Sequence, residues 1–404
     1  MLFKLAWRNI WRNKRRSFIV FISVIVGVNA MLFMDGMSNG MLSQILFNEI
    51  SLNVSHIQIH KNGFTDNKMV QNYMPDYENV EKIIITNKSI RYYSKRIVTF
   101  GLLSSAANST GIYLNGIEPE NEQNVSRIKS SIIEGKYLSG NSGEIVIGKK
   151  LAEKLQVELG DKVVALANTS DGSIGSDVFR IVGIYKSPSS EFDKSYVYIP
   201  ITNAQTMLNL QNKIHEFAII TNNYNSANII RDKLRETLSG SYEVLSYEDL
   251  LPFVIIQLDM YKESLFVINL IISLALIFGI INSMLMSVFE RIREIGVLMS
   301  IGMRNGKIFL MILIEAFTIG TAGTIIGVIS GYLINIPFST FGINLSVFAQ
   351  SLESFAVGAI LYPKLSVENF VMILLMIPLI SILGALYPAY KAIKLEPVYA
   401  IRYI

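Results

Sequence analysis

Ser17-Phe18-Ile19-Val20-Phe21-Ile22-Ser23-Val24-Ile25-Val26-Gly27-Val28-Asn29-Ala30-Met31-Leu32-Phe33-Met34 carries no charged residue, and Arg16 and Asp35 close it on either side. At 1.5 Å per residue, a helix of roughly 18 residues is about 27 Å long, enough for the hydrocarbon core of a bilayer. Outward from this stretch, three more such windows appear. One runs from Ser264 to Phe289, one begins after Lys307 and meets only Glu315 before Pro337, and one runs from Asn369 to Tyr390. A large soluble protein can bury one helix of this kind; four are the pattern of a membrane protein. Val28-Asn29-Ala30 weakly resembles a signal-peptide cleavage site. The apolar run is longer than the ~7–15 residues of a signal core and its basic flank is extended, so it reads as a retained span.

Of the 404 residues, 17% are charged and 51% hydrophobic, with a mean hydropathy of +0.39. Soluble chains carry about 25% charged residues. The deficit is concentrated in the four windows, so spans alternate with a water-soluble part. The chain has no cysteine, which excludes disulfides, thiol catalysis and cysteine metal sites. A net charge of +4 gives no sign of nucleic acid as a partner.

Lys and Arg near span ends set orientation, because they gather on the cytoplasmic side. Lys4, Arg8, Arg12, Lys14, Arg15 and Arg16 precede the first span, with no acidic residue among them. Arg291, Arg293, Arg304 and Lys307 lie between the second and third, and Lys391, Lys394 and Arg402 follow the fourth. Four spans place all three segments on one side, which predicts both chain ends in the cytoplasm (N-in, C-in). The expected fold class is a membrane α-helical protein with four transmembrane helices and a large mixed α/β extracytoplasmic domain between helices 1 and 2. In order, the sequence predicts a cytoplasmic amphipathic helix over 1–16 and a first span over 17–40, then the outer domain over 41–262. A second span over 263–289 leads to a cytoplasmic helix and loop over 290–306 and a third span over 307–337. A short outer segment over 338–367, a fourth span over 368–390 and a cytoplasmic tail over 391–404 complete the chain.

Phe3, Trp7, Ile10 and Trp11 share one helical face, with Lys4, Arg8, Arg12 and Arg15 beside it. A basic helix with aromatic anchors lies in the headgroup region. After the second span, Ile292, Ile295 and Met299 repeat at i, i+3 and i+7, while Glu290, Arg291, Arg293 and Glu294 crowd the other side. Gly302 and Gly306 are expected to break this helix before the third span. Its apolar side must dock either on the chain's own membrane helices or the lipid surface, or in a groove of a partner. Glu315 lies about two turns into the third span; an intramembrane carboxylate is costly and needs either a supporting cation or hydrogen bond, or a proton-coupling role.

In the outer domain, alternation predicts strands at Val54–Lys61, Gly111–Gly116, Glu144–Gly148, Lys162–Ala167, Phe179–Tyr185 and Ser195–Ile199. Helices are predicted at Lys149–Val157, Ile201–Leu210 and Ser226–Leu238, with Tyr247–Glu263 continuing into the second span and coupling the domain rigidly to it. About 220 residues can bury a real core, as one unit or two subdomains. Little chemistry stands out. His56 and His60 share a strand face but lack the third and fourth ligands a metal needs, so no metal and no catalytic residue are expected. Gly302-Met303-Arg304-Asn305-Gly306-Lys307-Ile308 is one residue short of a phosphate loop, with Ile308 where a Ser or Thr would hold magnesium. No engine is visible in the chain itself.

Two motifs resemble the FtsX/MacB-type permeases of ABC transporters. One is Asn282 to Gly302 (NSMLMSVFERIREIGVLMSIG), continuing to Ile314-Glu315-Ala316. The other is Tyr387-Pro388-Ala389-Tyr390-Lys391-Ala392 with Glu396-Pro397-Val398-Tyr399-Ala400-Ile401-Arg402. Within that family, the outer domain is most similar to the LolC/LolE type of lipoprotein-releasing permease. The matching stretches are Met37-Ser38-Asn39-Gly40, His56-Ile57-Gln58-Ile59, Glu134 to Leu138, Glu144 to Asp161, and Ile181 to Ser187 with Glu191-Phe192-Asp193. The resemblance implies that Glu290, Arg291, Arg293, Glu294, Ile295 and Gly296 couple to a separate ATPase subunit, which would bind ATP and Mg; the chain itself needs no cofactor. It implies a second permease subunit, the same chain or a related one, in the cell inner membrane. It also implies a lipoprotein substrate taken from membrane lipid and handed to a periplasmic lipoprotein carrier. Met34, Met37 and Met41, at i, i+3 and i+7, are the candidate lipid or lipoprotein contact, since flexible thioethers suit varied acyl chains; ordinary packing is the other reading. A MacB-like efflux or mechanotransmission permease and an FtsX-like signalling scaffold controlling cell-wall hydrolases remain as alternatives.

Overall fold

Long helices carry all four apolar windows in the computed structural model, which describes residues 2–12, 14–238 and 240–396. Residues 397–402 of the C-terminal motif, Arg402 among them, lie outside the described residues. Helix α1 is Leu2–Arg12, α2 is Lys14–Glu49, α3 is Pro252–Glu290, α4 is Ile292–Ser300, α5 is Asn305–Phe341 and α6 is Val367–Ile393. Among the described residues, α2, α3, α5 and α6 are long and apolar enough to cross a membrane. The chain divides into two compact units. The first holds the chain up to Leu42, Gln257–Asn344 and the chain from Ile360; the second holds Ser43–Ile256 and Leu345–Ala359.

In the first unit the helices pack through small residues. Gly323, Gly327 and Gly331 of α5 recur every fourth position, and a Cβ at each would fall 2.7–2.9 Å from Val24, Val28 and Leu32 of α2. Glycine favours that approach, most of all at Gly323 and Gly327, where a Cβ would meet a stiff valine, in the small-xxx-small packing used where lipid removes the hydrophobic drive between helices. Asn29 of α2 donates from Nδ2 to the Gly327 carbonyl at 3.3 Å and to Ser330 Oγ at 2.9 Å. Gly320 against Ser381 and Gly384 against Ile280 tie α6 to α5 and α3 in the same manner. Pro337 sits inside α5, which runs on to Phe341, past the expected end of the third span.

The second unit is built on one ten-stranded sheet. Its strands are β1 Ile57–Lys61, β2 Ile90–Ser104, β3 Ser109–Ile117, β4 Ile132–Gly135 and β5 Glu144–Gly148. The rest are β6 Lys162–Asn168, β7 Ile174–Tyr185, β8 Tyr196–Pro200, β9 Glu216–Thr221 and β10 Tyr242–Ser246. The pairing β2-β3-β8-β5-β7-β6 returns to β2, so six strands close on themselves. Their core holds Leu103, Ile147, Leu151, Phe179 and Val197. The order β2-β9-β1-β10 extends from the ring as a wing, and helices Tyr77–Thr86 and Ala227–Thr237 cover it over a second core with Ile57, Ile59, Phe217 and Val244. Strand β2 joins the two, pairing with β9 through its first half and with β6 through its last residues.

Several expectations need correction. Val54 is not in a strand; Ile50–Val54 is a π-helical turn, and β1 begins at Ile57. The reading missed β2, β4, β9 and β10. Tyr247–Glu263 is not one helix: it breaks at Leu251, before Pro252, where a proline restricts the preceding residue. Of the short segment expected over 338–367, Leu345–Ala359 belongs with the α/β unit. There Glu353 holds Lys186 at 3.1 Å and accepts from Ser190 at 3.1 Å, and Asn48 donates to the Ala356 carbonyl at 2.8 Å.

The wing and ring meet around a buried guanidinium. Arg96 donates to both oxygens of Glu122 at 2.9 and 2.7 Å, to Glu216 at 3.1 Å and to the Asn53 carbonyl at 2.6 Å. Burial would raise the Glu216 carboxyl, but the hydrogen bond with His60 and the Arg96 charge outweigh it and bring it down to about 2. His60 therefore has a structural partner, at 3.2 Å, and stacks on Phe64. His56 meets Thr221 Oγ1 at 2.8 Å. Among the described residues, no group of three or more His, Asp or Glu is placed to hold a metal.

Candidate coupling site

The short helix α4 forms because its apolar positions share one face and both of its ends are fixed. Ile292 and Ile295 are buried, and Met299 packs beside Ile295 on Val288, Ile308, Ile312, Ala389 and Ala392. The C-terminus is a Schellman motif: Gly302 takes φ +89°, its N–H reaches the Met299 carbonyl, and the Met303 N–H reaches that of Leu298. Positive φ at that position favours glycine, so the glycine of the apparent phosphate loop is a helix stop. Gly306 does not break anything; it lies in the first turn of α5.

The apolar side of α4 is thus taken up by the chain's own membrane helices, the first of the two dockings left open by spacing. Ala389 and Ala392, both fully buried, come from the Tyr387–Ala392 motif. The two motifs that carry the family resemblance therefore meet in one cluster.

Arg291 departs from the expected pattern. Spacing groups it with Glu290, Arg293 and Glu294 on a charged outer face, but it precedes the first turn of α4 and is only 7% exposed. Its Nη1 donates to Glu315 Oε2 at 3.1 Å, and its Nε to Glu294 Oε2 at 3.3 Å. Glu294 in turn pairs with Arg12 of α1. Glu315, 4% exposed inside α5, thereby gains its cation, and a line of alternating charge runs Glu315–Arg291–Glu294–Arg12. The adjoining Asn9 is buried, its Nδ2 3.9 Å from Met311 Sδ.

The remaining site residues separate cleanly. Ile295 and Gly296 are buried, whereas Glu290, Arg293 and Glu294 are exposed, with Val297 at 46% and Ile301 at 76% beside them. The last two are apolar residues that the sequence reading did not single out, although each follows the buried stripe by a helical offset. Met34 is exposed and Met37 and Met41 are half-buried, all on α2.

Four membrane helices, a short charged helix clamped beneath them and a large α/β unit define a membrane permease. A model of the MacB-like periplasmic core domain matches residues 17–237, more than half of the chain, and a model of the FtsX-like permease C-terminal region matches 266–397. The chain is 24% identical to the lipoprotein-releasing system transmembrane protein LolC of Neisseria meningitidis, covering 98% of this chain and 99% of that protein. It is 23% identical to the macrolide export ATP-binding/permease protein MacB of Acinetobacter baylyi, covering 99% of this chain and 59% of that one. The crystal structure of the periplasmic region of MacB from Actinobacillus actinomycetemcomitans aligns with 52% of the chain and 97% of that structure, at 17% identity and a TM-score of 0.37. The chain belongs to the FtsX/MacB family of ABC-transporter permeases.

Proposed function

We propose that the protein is the membrane subunit of a lipoprotein-releasing ABC transporter in the cell inner membrane, with both chain ends cytoplasmic and the α/β unit in the periplasm. A separate ATPase subunit binds ATP and Mg and engages the end of α3 at Glu290 and the exposed face and C-terminus of α4 through Arg293, Glu294, Val297 and Ile301. Arg291, Ile295 and Gly296 do not face that partner; they carry its movement inward. The observation that carries this reading is the line Glu315–Arg291–Glu294–Arg12, which runs from inside a membrane helix to a surface that a partner can reach. A partner cation that competes for Glu294 loosens Arg291 from α4 and with it the hold on Glu315. A second permease subunit completes the transporter. A lipoprotein then leaves the outer leaflet for a periplasmic carrier, with Met34, Met37 and Met41 as the acyl-chain contact.

Similarity to LolC along 98% of this chain, at 24% identity, supports release as the role. The MacB relative is named an ATP-binding/permease protein, and the chain spans 59% of it. Macrolide-type efflux is the second reading, favoured by the match to the MacB-like periplasmic core. Depletion of the protein, followed by separation of the two membranes, decides between them. Lipoproteins retained in the inner membrane support release. Normal delivery of lipoproteins to the outer membrane removes it and leaves efflux.

A further inference from the structure

Helix α1 does not lie flat on its neighbours. Ala6 and Asn9 are buried, while Phe3, Trp7 and Trp11 are 48–61% exposed. Between α1, the start of α2 and the middle of α5 is a cavity of about 610 Å³, within the ~300–1,000 Å³ of ligand pockets. Its walls include Trp7, Ile10, Trp11, Phe18, Phe21 and Ile326, and Lys14 and Arg15 stand in its lining. Between Thr318 and Ile326 it follows α5 for about 12 Å, most of one leaflet's share of a ~30 Å hydrocarbon core. Neither Lys14 nor Arg15 is paired with a carboxylate among the described residues, in contrast to Arg12, which is held by Glu294.

We infer that this groove is a binding site for an anionic phospholipid of the leaflet adjoining α1, with one acyl chain between Trp11, Phe18 and Ile326 and the phosphate between Lys14 and Arg15. The chemistry selects this occupant. The walls are apolar, which fits a hydrocarbon chain, and the two unpaired cations stand where the chain enters α2, which fits a phosphodiester at headgroup depth. A second copy of the chain fits poorly. A two-fold contact would place Lys4, Arg8, Lys14 and Arg15 against their own equivalents, and residues 3–16 contain no acidic residue to answer them. Occupancy would fix the spacing of α1 from α5, and therefore the position of Arg12, which ends α1.

The test uses the two tryptophans of the chain, both of which line the groove. The full-length protein is placed in phosphatidylcholine vesicles, and a fixed fraction of the lipid is exchanged for acyl-brominated phosphatidylcholine or acyl-brominated phosphatidylglycerol. The expected result is tryptophan quenching by brominated phosphatidylglycerol at a several-fold lower mole fraction, about fivefold for each basic residue engaged, with the preference shrinking in high salt. The double variant Lys14→Gln with Arg15→Gln, both at exposed positions, brings the two quenching curves together. Ala322→Phe, which fills the groove, weakens quenching by both lipids. Coincident curves in the unaltered protein, a preference that survives the double variant, or no quenching by either lipid because a second copy covers the groove would each overturn the assignment.

Discussion

Arg96 and Arg291 are both buried guanidiniums shared between two glutamates, yet they are enclosed differently. Arg96 is closed on all sides. Glu122, Glu216 and the Asn53 carbonyl take its donors, Glu122 is fully buried, and Glu216 is 5% exposed. Arg291 is closed on one side only: Glu315 is buried, but the Glu294 side chain is 46% exposed and shares its oxygen with an Arg12 side chain that is 53% exposed. A charge cluster sealed from water can only hold, since losing any member strands another in low dielectric. A cluster with one member at the surface can be competed for. The first network fastens the wing of the sheet to its ring; the second is able to report a contact made outside.

The comparison breaks first at Arg96. Arg96→Ala leaves Glu122 and Glu216 buried without their cation and should destabilise the α/β unit by about 3–5 kcal/mol, read as lost hydrogen-exchange protection in β2 and β9. Acid tests the same network. The Glu216 carboxyl is lowered from 4.5 to about 2, so its contribution is fully present above pH 4.5 and is lost as pH falls through 2. Glu216→Gln should flatten that limb of a pH-dependent unfolding curve, by at most about 3 kcal/mol. Asp193 has the opposite sign: burial pushes it up to about 6 against the lowering hydrogen bonds from Ser187, and it disfavours the folded unit as pH rises from 4 through 6.

At the membrane network, Arg291→Ala should cost about 2 kcal/mol, and Arg291→Met with Glu315→Met should recover most of the stability. If coupling runs through the pair, stimulation of the partner's ATP hydrolysis by substrate stays lost in the double variant; recovery of both would reduce the pair to a structural one. The smallest effect belongs to Arg12→Ala, expected below about 1 kcal/mol because both side chains are half in water. A coupling defect larger than its stability cost would mark Arg12 as part of the transmission line.

What the sequence made legible follows the range of the interaction. The spans were plain, because charge is missing over uninterrupted windows. The apolar face of α4 and the family motifs were local patterns too. Arg291 was misplaced because a helical wheel assumes that the residue is inside the helix; it precedes the first turn and reaches Glu315, 24 positions on. Strand β2 was missed because its alternation is interrupted in the middle by four consecutive buried residues, Arg96 to Thr99, where the strand passes from one partner to another. The Arg96 cluster joins three distant segments and leaves no periodic trace. The glycine repeat of α5, by contrast, was present in the sequence and needed only the right spacing to be sought.

That repeat has a consequence of its own. Its three rungs are alike, each a glycine beneath a branched aliphatic side chain, so a displacement of α2 by one turn along α5 would renew two of the three contacts. Packing alone is therefore nearly indifferent to such a shear, a step of about 5.4 Å. The choice of register falls to Asn29, whose bond to the Ser330 hydroxyl has no equivalent one turn away, where Ile326 or Ile334 stands instead. The ladder behaves as a rail, and a single amide is the pin that stops it.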